Sequence, residues 1–477
     1  MSGAQVAPPS ALALGRLLAA GALDPRAVCE QALARAGEPA ARHAFVTLTP
    51  ERARREAAAS AARLRDGRPA SPLDGVPVAW KDLFDVAGTP TTAASATRRE
   101  APPADADAPV VARLAAAGLV CVGKTNLSEL AFSGLGLNAL YGTPANPCGS
   151  AADACVPGGS SAGAAVAVAA GVVPCAIGTD TSGSVRIPAA FCGLIGFRPS
   201  SARVERRGML PLAPSLDAVG AIARTVADVT VLDALLRGAP LRLPCAPEPA
   251  ALRLAVPAGE LVDDAAEDVR ACFEAALERL QAAGVRVERR PLPALARAQA
   301  LIDEHGSVVA AEAFRTHERL LAGPARALLE PRVRRRLEGG RAVLEHGLAP
   351  LLAARAALQA ELEAQLDGAL LAFPTVRHTA PPLAPLERDD ELFARVNNRT
   401  LRSTMLGSYL DLPGVSFPAG NGEDELPVGL LLSGPPASDE RTLDAALALE
   451  TVLAPAVTPE SRCKRPETFR RFVTGVE

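Results

Sequence analysis

Two runs rich in glycine and serine, Val156-Pro-Gly-Gly-Ser160-Ser161-Ala-Gly163 and Gly178-Thr-Asp-Thr-Ser-Gly-Ser184-Val-Arg-Ile-Pro-Ala189, flank one uncharged apolar stretch. Glycine accepts positive φ and lets backbones approach closely, so Thr181, Ser182, Gly183 and Ser184 can aim successive N–H groups at a single oxygen atom. A serine at the lip of such a nest is placed to attack a carbonyl carbon while the backbone donors hold the resulting oxyanion. Tight turns alone would account for either loop equally well, so the reading needs a base. The histidines His43, His305, His317, His346 and His378 stand in helical or loop contexts without a triad signature. Lysine is more telling: of 50 basic residues only Lys81, Lys124 and Lys464 are lysine. Arginine does not surrender its proton in a protein, whereas a desolvated lysine becomes a neutral acceptor. Lys81 closes the apolar run Val76-Pro-Val-Ala-Trp80, where burial would favour the neutral amine. A hydroxyl both donates and accepts, which makes Ser160 the candidate relay between lysine and nucleophile.

Elements must bring these residues together. Apolar spacing predicts helices over 11–20, 25–36, 51–65, 110–117, 162–170 and 224–236, and strands over 76–80, 119–122 and 172–177. This alternation predicts an α/β fold: a mixed central β-sheet sandwiched by helices. From about 260 to 367 the pattern is mainly helical, with turns near Gly323-Pro324 and Gly339-Gly340, and reads as a helical lobe. Strand signals return at 368–373, 414–418 and 428–432, so the chain is expected to rejoin the sheet as one large domain spanning 1–477. The Pro/Ala stretch 240–257 is the one linker-like segment, and 381–385 reads as a rigid loop.

Composition removes several function classes. The 477 residues carry a net charge of −3, which provides no basic field for nucleic acid or an anionic membrane. Nine cysteines lie scattered with no zinc spacing, so reduced thiols in a cytoplasm are expected and no metal site is. Residues 1–20 lack a basic segment followed by an apolar run and a small-residue cleavage site, so no secretory signal is expected there. The span 154–179 has no charged residue but is punctuated by Pro157, Gly158, Gly159, Gly163, Gly171 and Pro174, which argues for buried turns rather than a membrane helix. Gly118-Leu-Val-Cys-Val-Gly123-Lys124-Thr125 matches a P-loop letter for letter. Its strand, however, occupies the positions between the glycines, where a phosphate loop belongs. Gly134-Leu-Gly136-Leu-Asn-Ala139 follows an expected helix at 127–132 instead of a strand, so it is no dinucleotide fingerprint.

With these motifs the chain resembles the amidase signature family. Lys81-Asp82, Gly158-Gly159-Ser160-Ser161 and Gly178 to Pro188 carry the resemblance. Further blocks at Gly123-Lys-Thr-Asn-Leu-Ser-Glu129, Thr143-Pro-Ala-Asn-Pro147, Phe191 to Gly196, Leu216 to Asp228 and Leu412 to Pro418 extend it over most of 10–455. The resemblance implies that Ser184 is the acylated nucleophile, Ser160 a bridging serine after a cis peptide, and Lys81 the base. It places oxyanion donors on the amides of Thr181, Ser182, Gly183 and Ser184, and pocket walls near Ala131, Phe132 and Ser133. It further implies that Lys124 is structural and that the helical lobe shapes substrate choice. Ala162, Ala164, Ser182 and Cys148 depart from frequent family residues, which touches substrate identity and leaves all three catalytic positions intact.

The expected function is hydrolysis of a small-molecule carboxylic amide to carboxylate plus ammonia or amine, through a seryl acyl-enzyme and without metal or organic cofactor. The alternative is the glutaminase-type subunit of a glutamyl- or aspartyl-tRNA amidotransferase, which needs partner subunits; a P-loop nucleotide-binding protein built on Lys124 ranks far behind. Neither nucleic acid nor membrane is an expected direct partner, and a homodimer is the default assembly.

Overall fold

In the computed structural model, which describes residues 8–150, 153–241 and 245–453, eleven strands join into one mixed sheet among those residues. In chain order they are β1 (Phe45–Leu48), β2 (Pro77–Lys81), β3 (Val120–Thr125), β4 (Cys175–Asp180), β5 (Ile195–Arg198), β6 (Ala218–Ala223), β7 (Arg253–Pro257), β8 (Arg286–Arg290), β9 (Leu370–Pro374), β10 (Gly414–Asn421) and β11 (Pro427–Ser433). Their order across the sheet is β1-β3-β2-β4-β6-β5-β10-β11-β9-β7-β8. Strand β2 runs parallel to both β3 and β4, and β7 runs parallel to both β8 and β9. The strands between, from β6 to β11, pair antiparallel.

Strands β2, β3, β4, β5, β6, β9 and β11 are buried along their full length. Helices cover both faces, which is why these strands read as continuous apolar runs rather than alternating ones. The uncharged span 154–179 resolves into the wholly buried helix Ala162–Ala169 and strand β4. Among the described residues no helix is long and apolar enough to cross a membrane.

Several sequence expectations are corrected. Residues 253–257, read as the end of a linker, form β7, because Leu254, Ala255 and Val256 are fully buried between β8 and β9; residues 242–244 of that stretch lie outside the described residues. The segment 127–132 holds only the short turn Glu129–Ala131. Residues 260–367 are mainly helical but include β8 at the sheet edge. The helix Pro331–Ala342 runs straight through Gly339 and Gly340 instead of turning. Gly340 serves packing there: a Cβ would stand 2.1 Å from the Ala310 carbonyl oxygen of the facing helix. Helix Leu383–Arg388 begins inside the expected loop at 381–385. Among the described residues seven cysteines carry free thiols, whereas Cys148 is disulfide-bonded; bridging depends on proximity in space, which spacing along the chain does not report.

Candidate active site

Parallel pairing of β2 with β4 sets the site's geometry. Trp80 pairs in register with Ile177, so Lys81, the last residue of β2, arrives beside the end of β4. The Lys81 side chain is fully buried. Its Nζ donates to Ser160 Oγ at 2.8 Å and to Thr179 Oγ1 at 2.8 Å. Burial lowers the Lys81 pKa to about 7, against the opposing pull of the Asp180 and Asp217 carboxylates. Lys81 is therefore close to half neutral near pH 7, the condition a proton acceptor needs.

Ser160 sits in the turn leading into helix Ala162–Ala169, and the Gly159–Ser160 peptide is cis. The next residue ties this turn to the second loop: Ser161 N–H donates to the Ser184 carbonyl at 3.2 Å. No hydrogen bond joins the Ser160 and Ser184 hydroxyls among the described residues. The structure thus links Lys81 to Ser160 directly, and Ser160 to Ser184 only through the adjoining backbone.

The loop after β4 is shaped by Asp180. Its carboxylate accepts from the amides of Gly183 at 2.6 Å and Val185 at 3.1 Å, and from Arg186 Nε at 3.0 Å and Nη2 at 2.9 Å. Burial alone would raise this carboxyl, but Arg186, Arg198 and the amides hold it down at about 2. One consequence departs from the expected four-donor nest: the Gly183 N–H is already taken by Asp180. The amides of Thr181, Ser182 and Ser184 have no protein partner among the described residues and remain available to an oxyanion. Asp217 holds Thr181 in place by accepting from its Oγ1 at 2.6 Å.

The expected pocket residues converge here. Ala131, Phe132 and Ser133 line one small cavity with Thr181, Ser182 and Ser184, with a volume of about 30 Å³. Leu130 and Ala131 adopt φ of 52° and 62°, a sparsely populated region for side-chain-bearing residues that recurs at functional sites. Ser133 Oγ is anchored on Asn397 Oδ1 at 3.1 Å, from helix Asp390–Tyr409.

Sequence reasoning missed Arg336, which lines the same cavity. It is carried by helix Pro331–Ala342, stacks its guanidinium 4.4 Å from the Phe132 ring centroid, and donates from Nη1 to the Phe132 carbonyl at 2.5 Å. Burial lowers its pKa to about 10. No carboxylate pairs with it among the described residues. In an arginine-rich stretch nothing singles out one guanidinium; only its position against Phe132 does. Asp180 and Thr179 lie inside a motif quoted for its glycines and serines, and their anchoring roles were equally hidden.

Lys124, the P-loop decoy, is fully buried in an ion pair with Asp82 at 2.6 Å and also donates to the Pro90 carbonyl at 2.7 Å. It is a structural lysine with no phosphate cradle, since strand β3 spans Val120–Thr125.

The chain is similar to known proteins over most of its length. A model of the Amidase family matches residues 27–443. The chain is 37% identical over 422 residues to 2-amino-5-chloromuconic acid deaminase of Comamonas testosteroni, covering 86% of this chain and 88% of that one. It is 34% identical over 466 residues to mandelamide hydrolase of Pseudomonas putida, covering 91% and 89% respectively. A solved crystal structure of an amidase superposes with a TM-score of 0.83 at 34% identity, covering 93% of this chain and all of the other.

Proposed function

The chain belongs to the Amidase family and is an amidohydrolase, and from that premise we propose that it cleaves small carboxylate-bearing amides through an acyl-enzyme on Ser184. The observation that supports the chemistry is the buried Lys81 amine hydrogen-bonded to Ser160 at 2.8 Å. In this reading neutral Lys81 takes the Ser160 hydroxyl proton as Ser160 takes that of Ser184, whose Oγ adds to the amide carbon. The relay requires the Ser184 hydroxyl to turn onto Ser160 when substrate binds, as catalytic hydrogen bonds often tighten only then. The amides of Thr181, Ser182 and Ser184 receive the oxyanion. The proton returns along the same path to the departing nitrogen, ammonia or amine leaves, and water, deprotonated by the same groups, releases the acid.

Arg336 supports the substrate class. A guanidinium on the wall of a cavity without an anionic partner gains most from a substrate that brings one. The volume of about 30 Å³ favours a short acyl group, or requires the flexible Met405 side chain on the cavity wall to turn aside.

The test is a matched pair of amides, succinamate and butyramide, with L-glutamine as a third substrate. Replacing Arg336 by Gln should lower kcat/KM for succinamate by ~10- to 100-fold, the worth of a charged hydrogen bond, and leave butyramide nearly unchanged. Equal losses on both would remove the carboxylate from the proposal. A folded Ser184→Ala variant should lose turnover on every amide; wild-type turnover in it would overturn the acyl-enzyme. Preference for glutamine, in a stable heteromer, would favour the amidotransferase reading.

A further inference from the structure

Glu129 ends the sequence block Gly123-Lys-Thr-Asn-Leu-Ser-Glu129, and the chemistry at Ser184 does not use it. It is 5% exposed, and no cation pairs with it among the described residues. A carboxylate in that setting is costly unless it accepts hydrogen bonds. Oε1 accepts from the Ser95 hydroxyl at 2.6 Å, and Oε2 accepts from the Glu330 N–H at 2.8 Å. Burial raises the Glu129 carboxyl, and these two donors oppose the rise.

The second bond reaches the cavity through a helix. Glu330 is the N-cap of helix Pro331–Ala342, where no side chain of the helix's own makes a capping bond. Glu129 therefore supplies an acceptor and a negative charge at the positive end of that helix's dipole. Arg336 stands six residues further along the same helix, about 9 Å at 1.5 Å per residue. Its Nη1 donates to the Phe132 carbonyl. Residues 129 to 132 thus grip the helix at two points, its N-terminus and its cavity-facing guanidinium. With the bond at Phe132 alone, the helix could pivot about it; the bond at the helix end removes that freedom.

The gripping turn is itself fixed to the strand that carries the base. Leu130 N–H donates to the Ala93 carbonyl at 3.0 Å, and Ala93 N–H donates to the carbonyl of Asp82, the residue after Lys81, at 2.9 Å. Thr92 N–H adds a bond to the Asp82 carboxylate at 3.1 Å. Hydrogen bonds therefore run from the end of β2 through residues 92 to 95 and Glu129 to the helix bearing Arg336.

We propose that Glu129 is a positioning residue for recognition of the substrate's carboxylate. It is not on the cavity wall; it fixes where Arg336 stands relative to the reacting carbonyl. This role rests on the proposed pairing of Arg336 with that carboxylate.

The experiment measures kcat/KM for succinamate and butyramide in the full chain bearing Glu129→Gln, with folding checked by circular dichroism. Glutamine keeps the shape and one acceptor oxygen but cannot accept at both positions. The succinamate-to-butyramide ratio should fall ~10-fold, the worth of a hydrogen bond to a charged group, through a raised KM for succinamate. Glu330→Pro breaks the same bond from the other side. The Glu330 φ of −53° and ψ of 130° suit proline and the Pro331 that follows, and the ratio should fall alike. In an Arg336→Gln background neither substitution should lower the ratio further, because Glu129 acts through that guanidinium. A purely structural role would cost both substrates equally. An unchanged ratio in either folded variant, or a fall of the same size with Arg336 replaced, overturns the proposal. If Arg336→Gln alone does not discriminate the two amides, the carboxylate reading falls and the role of Glu129 with it. If it does discriminate and the new variants do not, the carboxylate reading stands and Glu129 alone is rejected.

Discussion

In the proposed mechanism Lys81 is the proton acceptor. Burial pushes its ammonium down to about 7 although Asp180 and Asp217 favour the charge. The sign follows directly: the charged amine cannot accept, so activity is lost as pH falls through that value and is complete above it. kcat/KM should rise about tenfold per pH unit on the acid side of 7 and level off beyond it. A flat profile from about pH 5.5 to about pH 8.5 would deny Lys81 the role of base. Lys81→Arg, permanently protonated, should cost ~10²- to 10⁴-fold in kcat, the usual worth of a general base, with circular dichroism unchanged. That this lysine would be buried was legible from its apolar neighbours. Its partner Thr179 was not, because the 2.8 Å contact depends on how β2 and β4 lie side by side.

The loop between β4 and the helix Arg186–Phe191 shows how an element makes a site. Gly183 adopts φ +126°, and a Cβ there would stand 2.2 Å from Thr404 Oγ1. Thr404 in turn donates to the Ser182 carbonyl at 2.5 Å. A side chain at 183 would push the loop off helix Asp390–Tyr409 and turn the neighbouring donor amides. Gly183→Ala should therefore lower kcat by ~10²-fold or more, as the loss of an oxyanion donor does, while KM changes little. It should also destabilise the fold by about 1–3 kcal/mol, read from the urea midpoint. Wild-type kcat in Gly183→Ala would show that the loop's shape is not what aims the donors. The glycine spacing announced a nest. That Asp180 would occupy the Gly183 amide, leaving three donors, was not written there, because a side chain's direction is set by Arg186 and Arg198 closing on it from both sides.

The sheet as assembled brings the ends of β2 and β4 side by side, and a buried ion pair ties β3 to the residue that follows β2. Lys124 and Asp82 are both fully buried, 2.6 Å apart. Removing one partner of such a pair leaves an uncompensated charge inside the protein. Lys124→Ala should lower stability by ~3–5 kcal/mol in urea titration, and the chain should show no ATP affinity for the substitution to abolish. Tight ATP binding lost in Lys124→Ala would revive the phosphate-loop reading.

What the amino-acid order determined alone is the chemistry and the broad architecture. Serine loops, a lysine at the end of an apolar run and apolar runs of strand length are local signals, and local propensity and burial act on them wherever the chain goes. The helical turn at 129–131, the strand hidden in the Pro/Ala stretch and the guanidinium of Arg336 against Phe132 needed the folded chain. Each depends on which distant segment arrives as neighbour, a matter of packing and pairing that no window of sequence contains.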